Sequence, residues 1–286
     1  MTAVDPRHVV VTGCSSGFGP RIVRQAQARG WQVHATVRDV TQPGEMGGIL
    51  AATATVVGPQ PTLTALDLTD SASVNAAAHA ILERSAGRLD AVVHNAGIAD
   101  AGFVEDQPDA ALRRVMETNF FGVAALTRAL LPALRGGERG RIVVISSVSA
   151  FTASPALSAY VASKRAVEGW AECLALEVRP FGVDVVLVEP ASYRTAIWDK
   201  ARIARSGTSP YAGFVDHYEA KVRALIERAA GDPDDVAVKV ADVLDRRRVS
   251  LRQPVGRDAH LGRIISRVVP FSWRAAAIAR WAGLTR

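Results

Sequence analysis

Six short blocks of this chain are rich in Val and Ile and apolar at consecutive positions: HVVVTG at 8–13, WQVHATV at 31–37, TLTALDL at 62–68, LDAVVHNAG at 89–97, RIVVISS at 141–147 and VDVVLVEP at 183–190. A strand with one face in water alternates apolar and polar residues. A strand covered on both faces need not. Segments with helical patterning lie between the blocks, at 17–29, 71–86, 108–134 and 158–178, and a further helix is expected near 233–247. Strand and helix in alternation predict an α/β fold: a doubly wound parallel sheet, right-handed crossovers, and helices on both faces. Two segments break the rhythm. Residues 40–61 carry Pro43, Gly44, Gly47, Gly48, Pro59 and Pro61 and read as an irregular excursion. Residues 191–231 carry Trp198, Tyr211, Phe214 and Tyr218, which suits either aromatics packed inward or a lid over an apolar substrate.

Composition narrows the classes of function. With 49% hydrophobic and 22% charged residues the chain is ordinary globular material. Two cysteines, Cys14 and Cys173, make no disulfide framework, and no Cys/His cluster has metal-ligand spacing, so no metal is expected. Cys14 reads as a small loop residue, Cys173 as a core residue, and His94 as a packed strand residue. The N-terminal residues run into the first strand without signal-peptide features, and no apolar stretch is long enough to span a bilayer. A cytoplasmic setting is the expectation. The net charge of +6 is unevenly spread. Arg246 to Arg286 hold ten Arg against one acid, Asp258, so subtracting +9 leaves the first 245 residues at −3. A basic tail on a mildly acidic body argues against nucleic-acid binding.

Two motifs carry chemistry. In VVVTGCSSGFG, Gly13, Gly17 and Gly19 fall between the first strand and the first helix, where backbone N–H groups can approach a pyrophosphate. The spacing is Gly-x-x-x-Gly-x-Gly. Only four of the 34 basic residues are lysines, yet Lys164 stands four residues after Tyr160 in a segment of small residues. At that spacing the two side chains share one helical face.

Together with Asn95-Ala96-Gly97 and Ser147, these motifs resemble the classical short-chain dehydrogenase/reductase family, over about residues 7–254. The wording TGCSSGFG and ATVRD is similar to the branch that includes 17β-hydroxysteroid and retinol dehydrogenases. The resemblance implies that Tyr160 is the general acid/base and that Lys164 lowers its pKa and holds the nicotinamide ribose. It further implies that Ser147, rather than Ser146, hydrogen-bonds the substrate oxygen, and that Asn119 organises a water in a relay from Tyr160 through a ribose hydroxyl and Lys164. Bringing a tyrosine from near 10 toward 7 takes roughly 4 kcal/mol, and a compact ammonium one turn away supplies part of it. By the same resemblance, Gly13, Ser16, Gly17, Phe18, Gly19, Arg38, Asp67, Leu68, Asn95, Ala96, Gly97, Tyr160, Lys164, Pro190 and Thr195 form the cofactor site.

At the end of the second strand, Val37-Arg38 stands where NAD-preferring members place an acid. A guanidinium suits a 2′-phosphate, so NADP(H) is expected, with NAD(H) the alternative. One departure is Ala191, where the family has glycine after Pro190; its Cβ is expected to approach the nicotinamide. The expected reaction is hydride transfer between NADP(H) and a carbonyl or secondary alcohol of a hydrophobic substrate, steroid-, retinoid- or acyl-like. A non-catalytic NADP-binding regulator on the same fold is the rival. The family implies a homodimer or homotetramer. Residues 1–254 are read as the catalytic domain, with 191–231 its lid, and 255–286 as a basic amphipathic extension. In that extension Leu261, Ile264, Ile265 and Val268 share a helical face. The extension caps its own core, roofs the pocket, covers a second subunit or meets an anionic membrane surface.

Overall fold

All six apolar blocks form strands in the computed structural model, which describes residues 6–53, 59–137, 140–229 and 231–285. Strands β1 (His8–Val11), β2 (Gln32–Val37), β3 (Thr62–Ala65), β4 (Ala91–His94), β6 (Arg141–Ile145) and β7 (Asp184–Pro190) are joined by β9 (Arg252–Val255). The order is β3-β2-β1-β4-β6-β7-β9, parallel throughout. A small second ladder pairs β5 (Asp100–Ala101) with β8 (Arg202–Ile203).

The consecutive apolar positions have a physical cause. On β1, Val9 and Val11 belong to one core with Ile22, Val23 and Ala26 of helix α1 (Phe18–Ala28) and Val236, Val240 and Val243 of α9 (Pro233–Asp245). Val10 points the other way, into a second core with Val74 and Ile81 of α3 (Ser71–Arg84), Leu126 and Leu130 of α5 (Gly122–Gly136), and Val167 and Leu174 of α6 (Ser158–Val178). Both faces of every central strand are dry, so alternation has no function there.

Several expectations are corrected. The strands stop short of the loop residues read into them, because the chain leaves the sheet at Thr12, Leu66, Asn95 and Ser146 to build the crevice. The expected helix over 108–134 is α4 (Asp109–Met116), a π-helical turn at Glu117–Phe121, and α5. The excursion at 40–61 contains α2 (Glu45–Thr53), seated where Gly44 lies against the Ser15 backbone; residues 54–58 lie outside the described residues. Strand β9 was not legible, since RQPV is polar and contains proline; its edge position beside β7 tolerates both. Cys173 is exposed rather than core, while Cys14 is buried and its thiol is pushed up to about 12 by that burial. The gap at 191–231 holds α7 (Ala196–Asp199), β8 and α8 (Ala212–Ala229), with residue 230 not described. The tail forms α10 (Arg257–Val268) and α11 (Phe271–Ala282).

Candidate active site

The strand order reverses between β1 and β4, and the loop after β1 is tied to the end of β4. The Thr12 hydroxyl accepts from the backbone N–H groups of Asn95 and Ala96, each at 3.0 Å. The Asn95 carboxamide returns two bonds, to the carbonyls of Thr12 at 2.8 Å and Gly13 at 3.0 Å. Asn95 thereby shapes the loop. Glycine is required twice there. At Gly13, with φ +71°, a Cβ would stand 2.7 Å from the Ala96 Cα. At Gly19 it would stand 2.4 Å from the Gly13 carbonyl. Gly17, with φ +74°, precedes α1 without a side-chain cap, and its N–H faces the Glu45 carboxylate at 3.2 Å. Positive-φ backbone, an uncapped helix start and a carboxylate already drawn to its N–H fit a dinucleotide's phosphates.

Phe18 opens α1, with its ring edge-on to Tyr193 at 5.7 Å. The Ser16 hydroxyl accepts from Lys200, at the end of α7, at 2.9 Å. The sequence reading missed this lysine; its rarity in the chain was the available signal. Arg38 follows β2 and is exposed. Asp39 does not pair with it: the Asp39 carboxylate accepts from the Thr41 N–H and hydroxyl, which hold it below the usual range. The Asp67 carboxylate accepts from Thr69 at 2.9 and 2.7 Å, and the Leu68 carbonyl packs so close to Gly122 that a Cβ there would come within 2.3 Å. Thr195 precedes α7 without capping it, beside Gly17: a Cβ on Gly17 would lie 3.7 Å from that of Thr195. Pro190 ends β7. The Ala191 methyl lies against Gly256, where a Cβ would meet it at 3.0 Å, and packs on the adjoining core. This is where the Cβ read as approaching the cofactor is accommodated.

Beyond β6, α6 brings the second constellation together. Tyr160 is buried, and burial pushes its hydroxyl up to about 12 against the opposing effect of a hydrogen bond from Ser147. The hydroxyl is thus raised rather than lowered toward about 7 as expected, and burial is the cause. The Ser147 oxygen accepts from the Ser149 N–H at 3.1 Å. Lys164 is buried and donates to the Ile145 carbonyl at 2.8 Å, with its ammonium 5.6 Å from the centre of the Tyr160 ring. Burial lowers it to about 8, partly offset by Glu168 one turn along α6. Asn119 lies in the π-helical turn. Its oxygen accepts from the Ile98 N–H at 2.9 Å, and its amide donates to the Ile98 carbonyl and the Ser163 hydroxyl. It borders Lys164 across Gly97, where a Cβ would lie 3.5 Å from the Asn119 oxygen and 3.7 Å from the ammonium.

A charge network sits behind this group. Ser146 donates to Glu168, and Arg252 of β9 donates to Glu168, Glu172 and Glu189. Arg263 of α10 donates to Glu189 at 2.7 Å. Trp198 lies edge-on to Tyr160 at 5.9 Å, Phe103 stacks on Tyr211 at 4.5 Å, and Tyr218 meets Trp281 at 6.0 Å. Of the two accounts of residues 191–231, inward packing holds for Tyr218, whereas Phe214 is exposed. His94 is a packed residue as expected: Thr127 bonds it at 2.8 Å, and burial lowers it to about 3. Among the described residues no His, Cys, Asp or Glu group has the arrangement of a metal site.

A doubly wound sheet with a glycine-lined crevice at its switch point, and a buried Tyr-Lys pair with Ser147 bonded to it, defines a dinucleotide-dependent oxidoreductase. The chain belongs to the short chain dehydrogenase family, whose profile matches residues 7–206. It is 34% identical to the oxidoreductase YusZ of Bacillus subtilis over 273 residues, 94% of this chain and 96% of that one. It is 32% identical to 3-ketodihydrosphingosine reductase of Bacteroides thetaiotaomicron over 255 residues, 88% of this chain and 89% of the relative. To human retinol dehydrogenase 8 it is 34% identical over 261 residues, 88% of this chain and 82% of that one. A short-chain dehydrogenase from Streptomyces avermitilis superimposes with a TM-score of 0.78 at 32% identity, covering 96% of this chain and 98% of that one. A Burkholderia phymatum relative solved with NAD has a TM-score of 0.75 at 26% identity, covering 92% and 93%. A metagenomic relative solved with NADP has 0.68 at 27%, covering 87% and 96%.

Proposed function

We propose that the protein is an NADP(H)-dependent oxidoreductase that interconverts a carbonyl and a secondary alcohol on a large hydrophobic substrate, with Tyr160 as general acid/base. The observation that carries this reading is the buried Tyr160 and Lys164, with Ser147 bonded to the Tyr160 hydroxyl, beside the glycine-lined loop. A nicotinamide cofactor held in the crevice would supply or accept the hydride. The chain's own residues handle the proton and the substrate. In reduction Tyr160 Oη gives its proton to the carbonyl oxygen, and in oxidation it takes one from the alcohol. Ser147, its oxygen already held by the Ser149 N–H, points its own proton at the same oxygen. Lys164, fixed on the Ile145 carbonyl, keeps a positive charge beside the phenol in a site that excludes water. Asn119 holds the backbone at Ile98 and borders Lys164, the place from which a proton path to solvent would start.

The 2′-phosphate of NADP is assigned to Arg38, exposed and without a partner in Asp39, with Ser16 and Lys200 completing a basic and hydroxyl-bearing rim. Trp198, half-buried beside Tyr160, and Tyr211, stacked on the buried Phe103, supply apolar surface for the substrate. The names of the relatives, a ketosphingoid reductase and a retinol dehydrogenase, favour a lipid-like molecule. Exposed Leu112 of α4, Phe121 of the π-helical turn and Leu176 of α6 support pairing into a homodimer or homotetramer. The test is a screen of long-chain ketones and alcohols, followed by nicotinamide absorbance, with wild type and Tyr160→Phe. The variant should lose about 10²- to 10⁴-fold in turnover and keep its NADP(H) affinity, since its ring still meets Trp198. Retention of most of the rate would remove Tyr160 from its role.

A further inference from the structure

In α10, the stripe formed by Leu261, Ile264, Ile265 and Val268 faces away from the protein: these side chains are 58%, 59%, 37% and 70% exposed. The face turned inward carries Ala259, fully buried, Gly262 against Phe151, and Arg263, whose guanidinium reaches the buried Glu189. A helix that caps its own core has the opposite orientation. The apolar surface continues into α11 with Phe271 at 61% and Trp273 at 73% exposure.

We propose that this outward face of α10 and the start of α11 docks the protein on an anionic lipid bilayer. Charge selects the occupant. Residues 255–286 hold six Arg and one acid, Asp258, a net +5. Arg257, Arg267 and Arg280 are exposed and have no carboxylate partner among the described residues. A second copy seated on the same patch would bring this positive charge against itself, because an isologous contact pairs a surface with its own image. An anionic leaflet attracts each such arginine instead. Exposed Trp and Phe among apolar and basic side chains suit the headgroup boundary. Each helix has 12 residues, about 18 Å at 1.5 Å per residue, well short of a hydrocarbon core of about 30 Å. No helix among the described residues is long and apolar enough to cross a membrane. The helices lie in the interface plane.

Position connects the surface to the site. Helix α10 packs beside the turn that follows Ser147, Arg274 reaches the Phe151 carbonyl, and Lys221 of α8 donates to the Trp281 carbonyl at 2.6 Å. The bilayer-facing surface thus adjoins the apolar side of the cleft, and a lipophilic substrate would enter from the bilayer. Docking itself does not depend on the proposed reaction, since it is read without turnover.

The test is flotation of the full chain with vesicles of phosphatidylcholine alone and of phosphatidylcholine with phosphatidylglycerol. Wild type should float with the anionic vesicles, release as salt rises, and blue-shift its tryptophan emission on binding. A variant combining Ile264→Ser and Val268→Ser, and another combining Arg257→Glu, Arg267→Glu and Arg280→Glu, should each bind at least about tenfold more weakly with unchanged thermal unfolding. Failure of wild type to float, or equal flotation with neutral vesicles, would overturn the proposal. So would a dimer in sedimentation that the serine variant splits, since that would assign the face to a second copy.

Discussion

Replacing Glu168 by Gln probes the charge network behind the catalytic lysine. Lys164 and Glu168 are one turn apart on α6, where β-carbons are about 5–6 Å apart. Unit charges at that distance and an effective dielectric of about 20 interact by about 3 kcal/mol, or about two pK units. Arg252 bonds the same carboxylate and cancels part of this, leaving about one unit. Burial alone holds Lys164 down, and Glu168 works against it to keep the pKa at about 8. Glu168→Gln should therefore bring Lys164 toward neutrality at lower pH. In the proposed mechanism the cation is the active form, so activity is lost as pH rises through its pKa. The alkaline limb of kcat/KM for carbonyl reduction should move acidward by about one pH unit. Arg252→Met removes the opposing charge and should move the limb the other way, although unpairing buried carboxylates costs about 3–5 kcal/mol in stability. The assay is kcat/KM against pH for the three proteins, with thermal unfolding beside it. An unmoved limb in Glu168→Gln, or shifts of the same sign in both variants, would refute the electrostatic coupling.

Arg38→Asp should lower the ratio of kcat/KM for NADPH over NADH at least about tenfold, since a charge-assisted contact contributes about 1.5–3 kcal/mol and each 1.4 kcal/mol is one factor of ten; a wild type that prefers NADH would remove the assignment. The fold should be acid-sensitive through two buried histidines, His94, lowered to about 3, and His34, lowered to about 4, both chiefly by burial. The unfolded chain takes up these protons first, so stability present above the ordinary value of 6.5 is lost as pH falls, by about 2 kcal/mol per histidine at pH ~5. Denaturant midpoints measured at about pH 8 and about pH 5 check this, and His94→Gln should recover part of the loss. In Gly19→Ala, the new methyl would stand 2.4 Å from the Gly13 carbonyl and 2.8 Å from the Cys14 Cα, so the backbone must move. The cost should be about 1–3 kcal/mol in stability, with weaker nucleotide binding seen in a titration; unchanged binding would show that the loop does not hold the phosphates.

The sequence by itself determined whatever local spacing expresses. Consecutive valines in β1, β4 and β6 required strands dry on both faces, and hence a parallel sheet between helix layers. Tyr160 and Lys164, four apart on one helix, and the glycines after β1 were legible for the same reason: a single element sets their geometry. Tertiary structure decided what depends on partners far along the chain. Whether Tyr160 is lowered or raised depended on burial, which no spacing encodes. Arg252 could meet Glu168, Glu172 and Glu189 only once β9 had added to β7, and Lys200 could reach Ser16 only once α7 had folded back over the loop. The clearest case is α10. Its periodicity was plain in the sequence, but periodicity defines a face without saying which way it turns. Glu189, with no exposure to water, is paired with Arg252 of β9 and also with Arg263, which turns inward from α10 to reach it. The apolar stripe on the opposite side is thereby left facing out.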